Sequence, residues 1–112
     1  MVSEWNDLTD IKQLDEIIAL SFHTPVVIFK HSTRCDMSST MLRKFEAGYD
    51  LIGVECRPYF LDLIANRHIS NEIASRFGVV HQSPQIIVIK GGKSVYHASH
   101  GGIDVGLVKG KL

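Results

Sequence analysis

The sequence of 112 residues lacks the features that mark several specialised protein classes. Its 12 basic and 12 acidic side chains cancel, so it carries no charge excess for nucleic acid or an anionic membrane surface. The longest apolar runs, such as Ile86–Ile89, are far too short to span a bilayer, and the polar first ten residues predict no secretory signal. We therefore expect one domain over residues 1–112, cytoplasmic and monomeric, with neither nucleic acid nor membrane as a partner.

Cysteine is also scarce, since the chain contains only Cys35 and Cys56. A secreted domain held together by disulfides would contain more. In a reducing compartment, a solitary cysteine is either buried filler or a reactive group. Cys56 precedes Arg57 and Pro58 at a predicted strand entrance, which favours a partly buried bystander. A resolving role for Cys56 stays open, and it requires the Cα atoms of the two cysteines to lie about 4.4–6.8 Å apart.

Apolar periodicity predicts seven regular elements and a glycine-rich tail that disfavours a full final helix. In order, they are a helix over 8–22, a strand over Val26–Phe29, a helix from Asp36 to near Gly48, a strand over Tyr59–Leu63, a helix from Ser70 to Gly78, and strands over Gln85–Lys90 and Lys93–Ala98. The Gly91–Gly92 pair predicts a hairpin between the last two strands. This order favours an α/β sandwich around a four-stranded mixed sheet.

The position of Cys35 is the strongest indication of chemistry. It follows a buried strand and a polar, loop-like segment over 31–35, and it directly precedes a predicted helix. Helix N-termini present unpaired N–H groups and a partial positive charge, and both favour a thiolate over a thiol. The charge of Arg34 favours the thiolate further, whereas the carboxylate of Asp36 opposes it. We predict a modestly stabilised thiolate that acts as a nucleophile.

The segment Cys35–Asp36–Met37–Ser38 has a serine where a dithiol oxidoreductase has its second cysteine. Ser38 cannot form a disulfide, so the chemistry should stop at a mixed disulfide until another thiol arrives. We expect the Ser38 hydroxyl to donate a hydrogen bond to the Cys35 sulfur across one helical turn.

Three further features are candidates for substrate contact. The Ser83–Pro84 bond precedes a strand, and a cis form would turn the Ser83 backbone outward to pair with a substrate chain, although the sequence leaves cis and trans open. Arg34 either binds a carboxylate of a small thiol or is a solvated surface residue. His31 either assists the thiolate or simply ends its strand. No histidine or cysteine has the spacing of a metal site.

Two motif blocks and a glycine pair are shared with a known family. They are Phe29–Lys30–His31–Ser32–Thr33–Arg34–Cys35 followed by Ser38, then His81–Gln82–Ser83–Pro84–Gln85, and Gly91–Gly92. Together they resemble the YtxJ-type monothiol bacilliredoxins, thioredoxin-like proteins of bacteria that use bacillithiol. The likeness covers nearly the whole chain, from the Trp5 region to Ile103. One departure is Asp36, where that family commonly has proline.

The resemblance implies a thioredoxin-like fold. With the order of elements, this predicts a four-stranded mixed sheet flanked by helices and an extra N-terminal helix, and the glycine-rich tail predicts a C-terminal helix that is shortened relative to the family. It also implies removal of bacillithiol from bacillithiolated protein cysteines, with bacillithiol or a similar small thiol as co-substrate and no bound cofactor. The catalytic candidates are then Cys35 and Ser38, and the candidate substrate contacts are His31, Thr33, Arg34, Ser83 and Pro84. A protein-binding module without turnover and a thiol redox sensor remain as alternatives.

Overall fold

The computed structural model describes residues 5–53 and 55–112. The described residues form a mixed sheet with helices on both faces. Its strands are β1 (Asn6–Asp7), β2 (Val26–His31), β3 (Arg57–Asp62), β4 (Gln85–Lys90) and β5 (Lys93–Ser99). The helices are α1 (Gln13–Leu20), α2 (Asp36–Ala47), α3 (Arg67–Phe77) and the single-turn α4 (Val105–Lys109). No helix in these ranges is long and apolar enough to cross a membrane.

The strand order is β1-β3-β2-β4-β5. β1, β3 and β2 run parallel, whereas β4 is antiparallel to both β2 and β5. His31 at the end of β2 is therefore level with Asp62 at the end of β3, and Lys30 is level with Gln85 at the start of β4. The ends of β2 and β3 and the beginning of β4 meet at one side of the sheet, which we call the carboxyl edge.

β2 lies at the centre of the sheet, and all six of its residues are buried. Because successive side chains of a strand point to opposite faces, Val26 and Ile28 pack in the apolar cluster that includes residues of α1 and α3. Val27 and Phe29 pack on the other face, in the cluster that includes residues of α2. Burial on both faces explains why this strand reads as a continuous apolar run rather than an alternating one.

The thioredoxin-like α/β expectation is confirmed, but the strand count is five and not four. The additional strand, β1, is only two polar residues long and pairs with Tyr59 and Phe60 of β3. Leu8 extends this pairing by donating its amide to the Phe60 carbonyl at 2.8 Å. The first helix therefore begins at Gln13, later than the predicted 8–22, although Leu8 fits the helical apolar pattern.

Elsewhere the predicted elements differ from the structure mainly at their ends. The strand β2 continues to His31, which we had assigned to a loop because Lys30 and His31 are polar. The helix α3 begins at Arg67 instead of Ser70, and Gly78 ends it in a left-handed conformation with φ 66°. The final helix is confirmed as short, since α4 has 5 residues.

Candidate active site

The carboxyl edge brings Cys35 and Pro84 to the same side of the sheet. Cys35 follows β2 by four residues, and Pro84 immediately precedes β4. Lys30 near the end of β2 pairs with Gln85 at the start of β4. The segment that carries Cys35 leaves β2, and the segment that carries Pro84 enters β4, so both are attached to adjacent strands. The sequence-predicted site is therefore assembled by strand pairing between residues more than 50 positions apart.

Cys35 is the N-cap residue of α2, with extended backbone angles of φ −122° and ψ 116°. Its amide donates to the Ser32 carbonyl at 3.2 Å, and its carbonyl accepts the Ser39 amide at 3.1 Å. The N-cap side chain is the one that normally accepts from the first amides of a helix, and serine or aspartate most often fills that place. The thiol of Cys35 stands there instead, free and partly exposed.

The first amides of α2 are available to such an acceptor. No backbone or side-chain acceptor is recorded for the N–H groups of Asp36, Met37 and Ser38 in the described part of the chain. The side chains of Asp36 and Met37 are exposed, so the end of the helix faces solvent. A negative sulfur at Cys35 would satisfy these donors and the helix dipole together, which is the arrangement that favours a thiolate.

Ser38 lies in the first turn of α2 but makes different contacts from those predicted. Its side chain is fully buried. Its hydroxyl accepts the Ser32 amide at 3.0 Å and lies 2.7 Å from Nδ1 of His31. No Ser38–Cys35 hydrogen bond is present among the described residues, so the prediction of a bond to the sulfur is wrong. Ser38 instead ties the loop before Cys35 to both the strand and the helix.

His31 lies beneath this loop and is 7% exposed. The centroid of its ring lies 5.6 Å from the centroid of the Phe60 ring, and its Nδ1 contacts the Ser38 hydroxyl. Burial lowers the pKa of His31, and the carboxylates of Asp62 and Glu46 partly oppose this shift. A neutral ring with its proton on Nε2 would accept the Ser38 hydroxyl at Nδ1. His31 is thus placed to position the Cys35 loop, and its ring is too buried for direct contact with a large substrate.

Thr33 and Arg34 occupy the exposed part of the loop that leads to Cys35. Among the described residues, no salt bridge involves Arg34. Its guanidinium is therefore available to an anionic group that approaches Cys35. Both residues remain predicted substrate contacts, now placed next to the thiol in an accessible position.

Ser83 and Pro84 lie on the other side of the carboxyl edge, and the peptide bond between them is cis. Pro84 is buried, and its carbonyl accepts the amide of His100 at 3.0 Å. Ser83 is half-buried, and its hydroxyl has no hydrogen-bond partner within the described ranges. The cis alternative is therefore confirmed, whereas contact of this segment with a substrate stays a prediction.

A buried polar cluster on the opposite sheet face from His31 was not foreseen. Lys30 is fully buried, with Nζ 3.3 Å from Nδ1 of His81, and the Ser70 hydroxyl lies 3.2 Å from the same nitrogen. His81 lies in the second motif block, and the sequence alone assigns it no role. The available signal was Lys30 itself, because a lysine inside an otherwise apolar central strand must find a partner.

Cys56 lies at the opposite side of the sheet from Cys35. It directly precedes β3, whose first residue pairs with Val26 at the start of β2. A six-residue strand spans about 16 Å at about 3.3 Å per residue, so the two cysteines are well beyond disulfide reach. Burial raises the pKa of the Cys56 thiol to about 11, and this thiol donates to the Ile52 carbonyl. The geometry supports the bystander reading and argues against a resolving role within the chain.

No cluster of three or more His, Cys, Asp or Glu side chains among the described residues is arranged to hold a metal ion.

Comparison with known proteins agrees with this geometry. A family model described as monothiol bacilliredoxin BrxC matches residues 6–107. A solved structure described as a thioredoxin fold, and provisionally as an oxidoreductase, is 26% identical with a TM-score of 0.82, and the match covers 96% of this chain and 93% of that one.

Thioredoxins share the fold at lower identity. Mitochondrial thioredoxin 3 from Saccharomyces cerevisiae, in its oxidised form, is 18% identical with a TM-score of 0.74, covering 96% of this chain and 92% of that one. A thioredoxin from Trypanosoma brucei brucei is 20% identical with a TM-score of 0.71, and the match covers 96% of this chain and 86% of that one. The match to these two proteins concerns the fold alone.

Proposed function

Because the chain belongs to the monothiol bacilliredoxin family, we propose that it removes bacillithiol from bacillithiolated protein cysteines through a mixed disulfide at Cys35. The observation that carries the proposal is the partly exposed thiol of Cys35, the N-cap residue of α2, together with the first three amides of that helix, which have no acceptor among the described residues. A thiol-based redox role follows from the family, and the substrate is the proposed part.

In the first step, the Cys35 thiolate attacks the bacillithiol sulfur of the protein–bacillithiol disulfide. The new bond joins Cys35 to bacillithiol, the old S–S bond breaks, and the protein cysteine leaves as a thiolate that takes a proton from solvent. In the second step, a free bacillithiol thiolate attacks the bacillithiol sulfur held on Cys35. This releases the Cys35 thiolate and bacillithiol disulfide, so one free bacillithiol is consumed per turnover.

The end of α2 assists both steps. Its amides stabilise negative charge on Cys35 when this sulfur attacks and again when it leaves. Ser38 cannot act as a second thiol, and Cys56 is too distant and too weakly ionised to do so. The external thiol is therefore required, which supports a one-cysteine mechanism.

The surroundings of Cys35 suggest how the two substrates bind. Arg34 and Thr33 are exposed beside the thiol, where they would bind carboxylate groups of the small thiol. The backbone at Ser83 would pair with the extended chain of the protein substrate. The protein would act in the cytoplasm, where the small thiol is kept reduced.

The proposal is tested with a peptide that carries one bacillithiolated cysteine, followed by intact mass. Wild-type protein should gain one bacillithiol while the peptide loses it, and added bacillithiol should then restore the free protein. Cys35→Ala should do neither, whereas Cys56→Ala should behave as wild type. No transfer by the wild type over hours would contradict the proposal.

A second candidate is a thiol redox sensor or a binding module, and Asp36 is the observation that favours it. Its exposed carboxylate follows Cys35 directly and opposes thiolate formation. A sensor would be modified at Cys35 by oxidised bacillithiol but would transfer little from the peptide. A binding module would retain the peptide without transfer. Oxidised bacillithiol added to the same mass experiment identifies a sensor, and co-elution of the unmodified peptide with the protein in gel filtration identifies a binding module.

A further inference from the structure

Two consecutive residues of β2 reach opposite faces of the sheet at the carboxyl edge. His31 contacts Ser38 in the helix that begins at Cys35. Lys30 reaches the other face, where its only hydrogen-bond partner among the described residues is His81. The Lys30 side chain is fully buried, and burial lowers its pKa to about 8, so it remains largely protonated at neutral pH. A buried ammonium is costly, and no step of the proposed reaction uses this one.

The segment that receives Lys30 is the loop over residues 79–84, between α3 and β4. Residues 80–83 of this loop make no backbone–backbone hydrogen bond in the described structure. Side chains hold the loop instead. Gln85 donates its Nε2 group to the Val80 carbonyl at 3.0 Å, and His81 is bonded by Lys30 and by Ser70 of α3.

The charges around His81 are consistent with an acceptor role. Burial lowers the pKa of His81, and the positive charges of Lys30 and Arg67 lower it further. The ring is therefore neutral at neutral pH, and with its proton on Nε2 the single lone pair of Nδ1 is shared between the Lys30 and Ser70 donors. Lys30 thus supplies a donor and also keeps its acceptor uncharged. Lys30 is a charged donor to the loop, whereas the Gln85 and Ser70 donors are neutral.

We propose that Lys30 is a positioning residue that fixes the 79–84 loop through His81 and thereby sets how the protein substrate docks beside Cys35. This inference rests on the proposed function, because it assumes that the end of the loop contacts the substrate. Lys30 touches neither the substrate nor the Cys35 sulfur in this arrangement. It acts through the loop alone.

The inference separates docking from the reactivity of the thiol. Lys30→Met keeps the length of the side chain but removes its charge and its donor, whereas Lys30→Gln keeps a donor. KM for the bacillithiolated peptide should rise about tenfold in Lys30→Met, the effect of losing one charge-assisted hydrogen bond. The kcat value and the rate of Cys35 alkylation by iodoacetamide should stay near wild type. Lys30→Gln should show a smaller rise in KM.

Hydrogen exchange gives a readout that does not depend on activity. The amides bonded at the two ends of the loop are those of Val79, which donates to the Ala74 carbonyl, and of His100, which donates to the Pro84 carbonyl. Both should exchange faster in Lys30→Met than in wild type, while the amides of α2 should not change. Lys90→Met is the matched control, since Lys90 is an exposed lysine at the end of β4. It should change neither KM nor loop exchange.

A second pair of variants covers the case in which Lys30→Met does not fold. His81 is only half-buried, so its replacement is easier to accommodate. His81→Phe removes the acceptor and should raise KM, whereas His81→Asn retains an acceptor and should raise it less.

Unchanged KM and unchanged loop exchange in Lys30→Met and His81→Phe would overturn the inference. A parallel fall in kcat and in Cys35 alkylation would also overturn it, because the change would then be general disruption of the site. If the wild type itself transfers no bacillithiol, the proposed function fails, and loop exchange still reports whether Lys30 fixes the loop.

Discussion

The two ends of the central parallel strands each carry one cysteine, and the two sites have opposite properties. At the carboxyl edge, Cys35 is partly exposed and is the N-cap residue of α2, whose first amides have no acceptor among the described residues. At the other end, Cys56 is 8% exposed, and burial raises the pKa of its thiol to about 11. One thiol is accessible at a helix start, and the other is buried and held protonated.

The difference arises from the kind of structure that the chain forms next to each strand end. Parallel strands lead into helices at their carboxyl ends, so helix N-termini and loops collect there. The amino ends receive chain from the ends of helices and turns, where carbonyls such as that of Ile52 accept hydrogen bonds from both the Glu55 amide and the Cys56 thiol. A cysteine is therefore placed where it can act as a nucleophile at one end of the strands, and it is buried in the core at the other end.

The largest expected effect is on transfer of bacillithiol. Cys35→Ser should lower the rate of transfer from a bacillithiolated peptide at least about a hundredfold, because a serine hydroxyl is a poor nucleophile without a general base. Cys56→Ser should change the rate by less than about twofold. Intact-mass kinetics measure both variants. Comparable losses in the two variants would remove the contrast between the sites.

Alkylation of the folded protein is the next test. At pH 8, iodoacetamide should label Cys56 at least about a hundredfold more slowly than Cys35, since Cys56 is buried and almost wholly protonated. Peptide mapping by mass spectrometry assigns the label to each cysteine. Unfolding in guanidinium chloride should make the two rates similar, which serves as the control. Equal rates in the folded state would contradict the assigned environments.

Lys30 predicts a change of stability with pH at the carboxyl edge. The folded pKa of Lys30 is lowered from 10.5 to about 8, so between these values the unfolded state binds more protons. The free energy of unfolding should therefore rise with pH over this window, by about 3 kcal/mol for Lys30. Urea denaturation of wild type and Lys30→Met at pH 7 to 11 measures the difference between them.

Cys56 gives the opposite slope, because its folded pKa is raised from 9.0 to about 11. Its contribution to stability is lost as pH rises through this range. Because Cys56 is present in both proteins, its contribution cancels when the free energy of unfolding of Lys30→Met is subtracted from that of the wild type at each pH. The difference reports Lys30. A difference that does not change between pH 7 and 11 would show that Lys30 does not titrate as a buried group.

The smallest effect concerns the support beneath Cys35. Ser38→Ala should lower the free energy of unfolding by about 1–3 kcal/mol, because the Ser32 amide and His31 Nδ1 each lose their buried partner. Ser39→Ala, on the next and less buried residue of α2, is the matched control and should change stability little. Thermal denaturation measures both. Equal midpoints for the two variants would show that the Ser38 contacts contribute nothing.

Much of the fold could be predicted because its signals are local. β4 was predicted with its observed bounds, and α2 from Asp36 to just before Gly48, since apolar spacing and a terminal glycine mark these ends. β1 could not be predicted, because two polar residues form a strand only through pairing with β3. The first helix was predicted too long for the same reason, since the pairing of β1 continues into Leu8.

The candidate site divides in a similar way. Cys35 at the start of a helix could be predicted from the order of elements alone. The contacts of Ser38 could not, because its partner His31 was assigned to a loop when it is the buried last residue of β2. Lys30 was overlooked as a functional candidate, since its partner His81 lies 51 positions away along the chain, on the loop before Pro84.

The amino-acid sequence by itself determined the helices and long strands, the cysteine at a helix start and the absence of a second thiol at Ser38. The helices depend on apolar spacing of three or four residues and the strands on short apolar runs, and both patterns are visible along the chain. Only the tertiary structure decided that Cys56 is inert, that Ser38 binds His31 and that Lys30 reaches His81. Burial and partners depend on strand pairing between distant residues, and a buried polar group takes whichever partner the packed fold brings within hydrogen-bond distance.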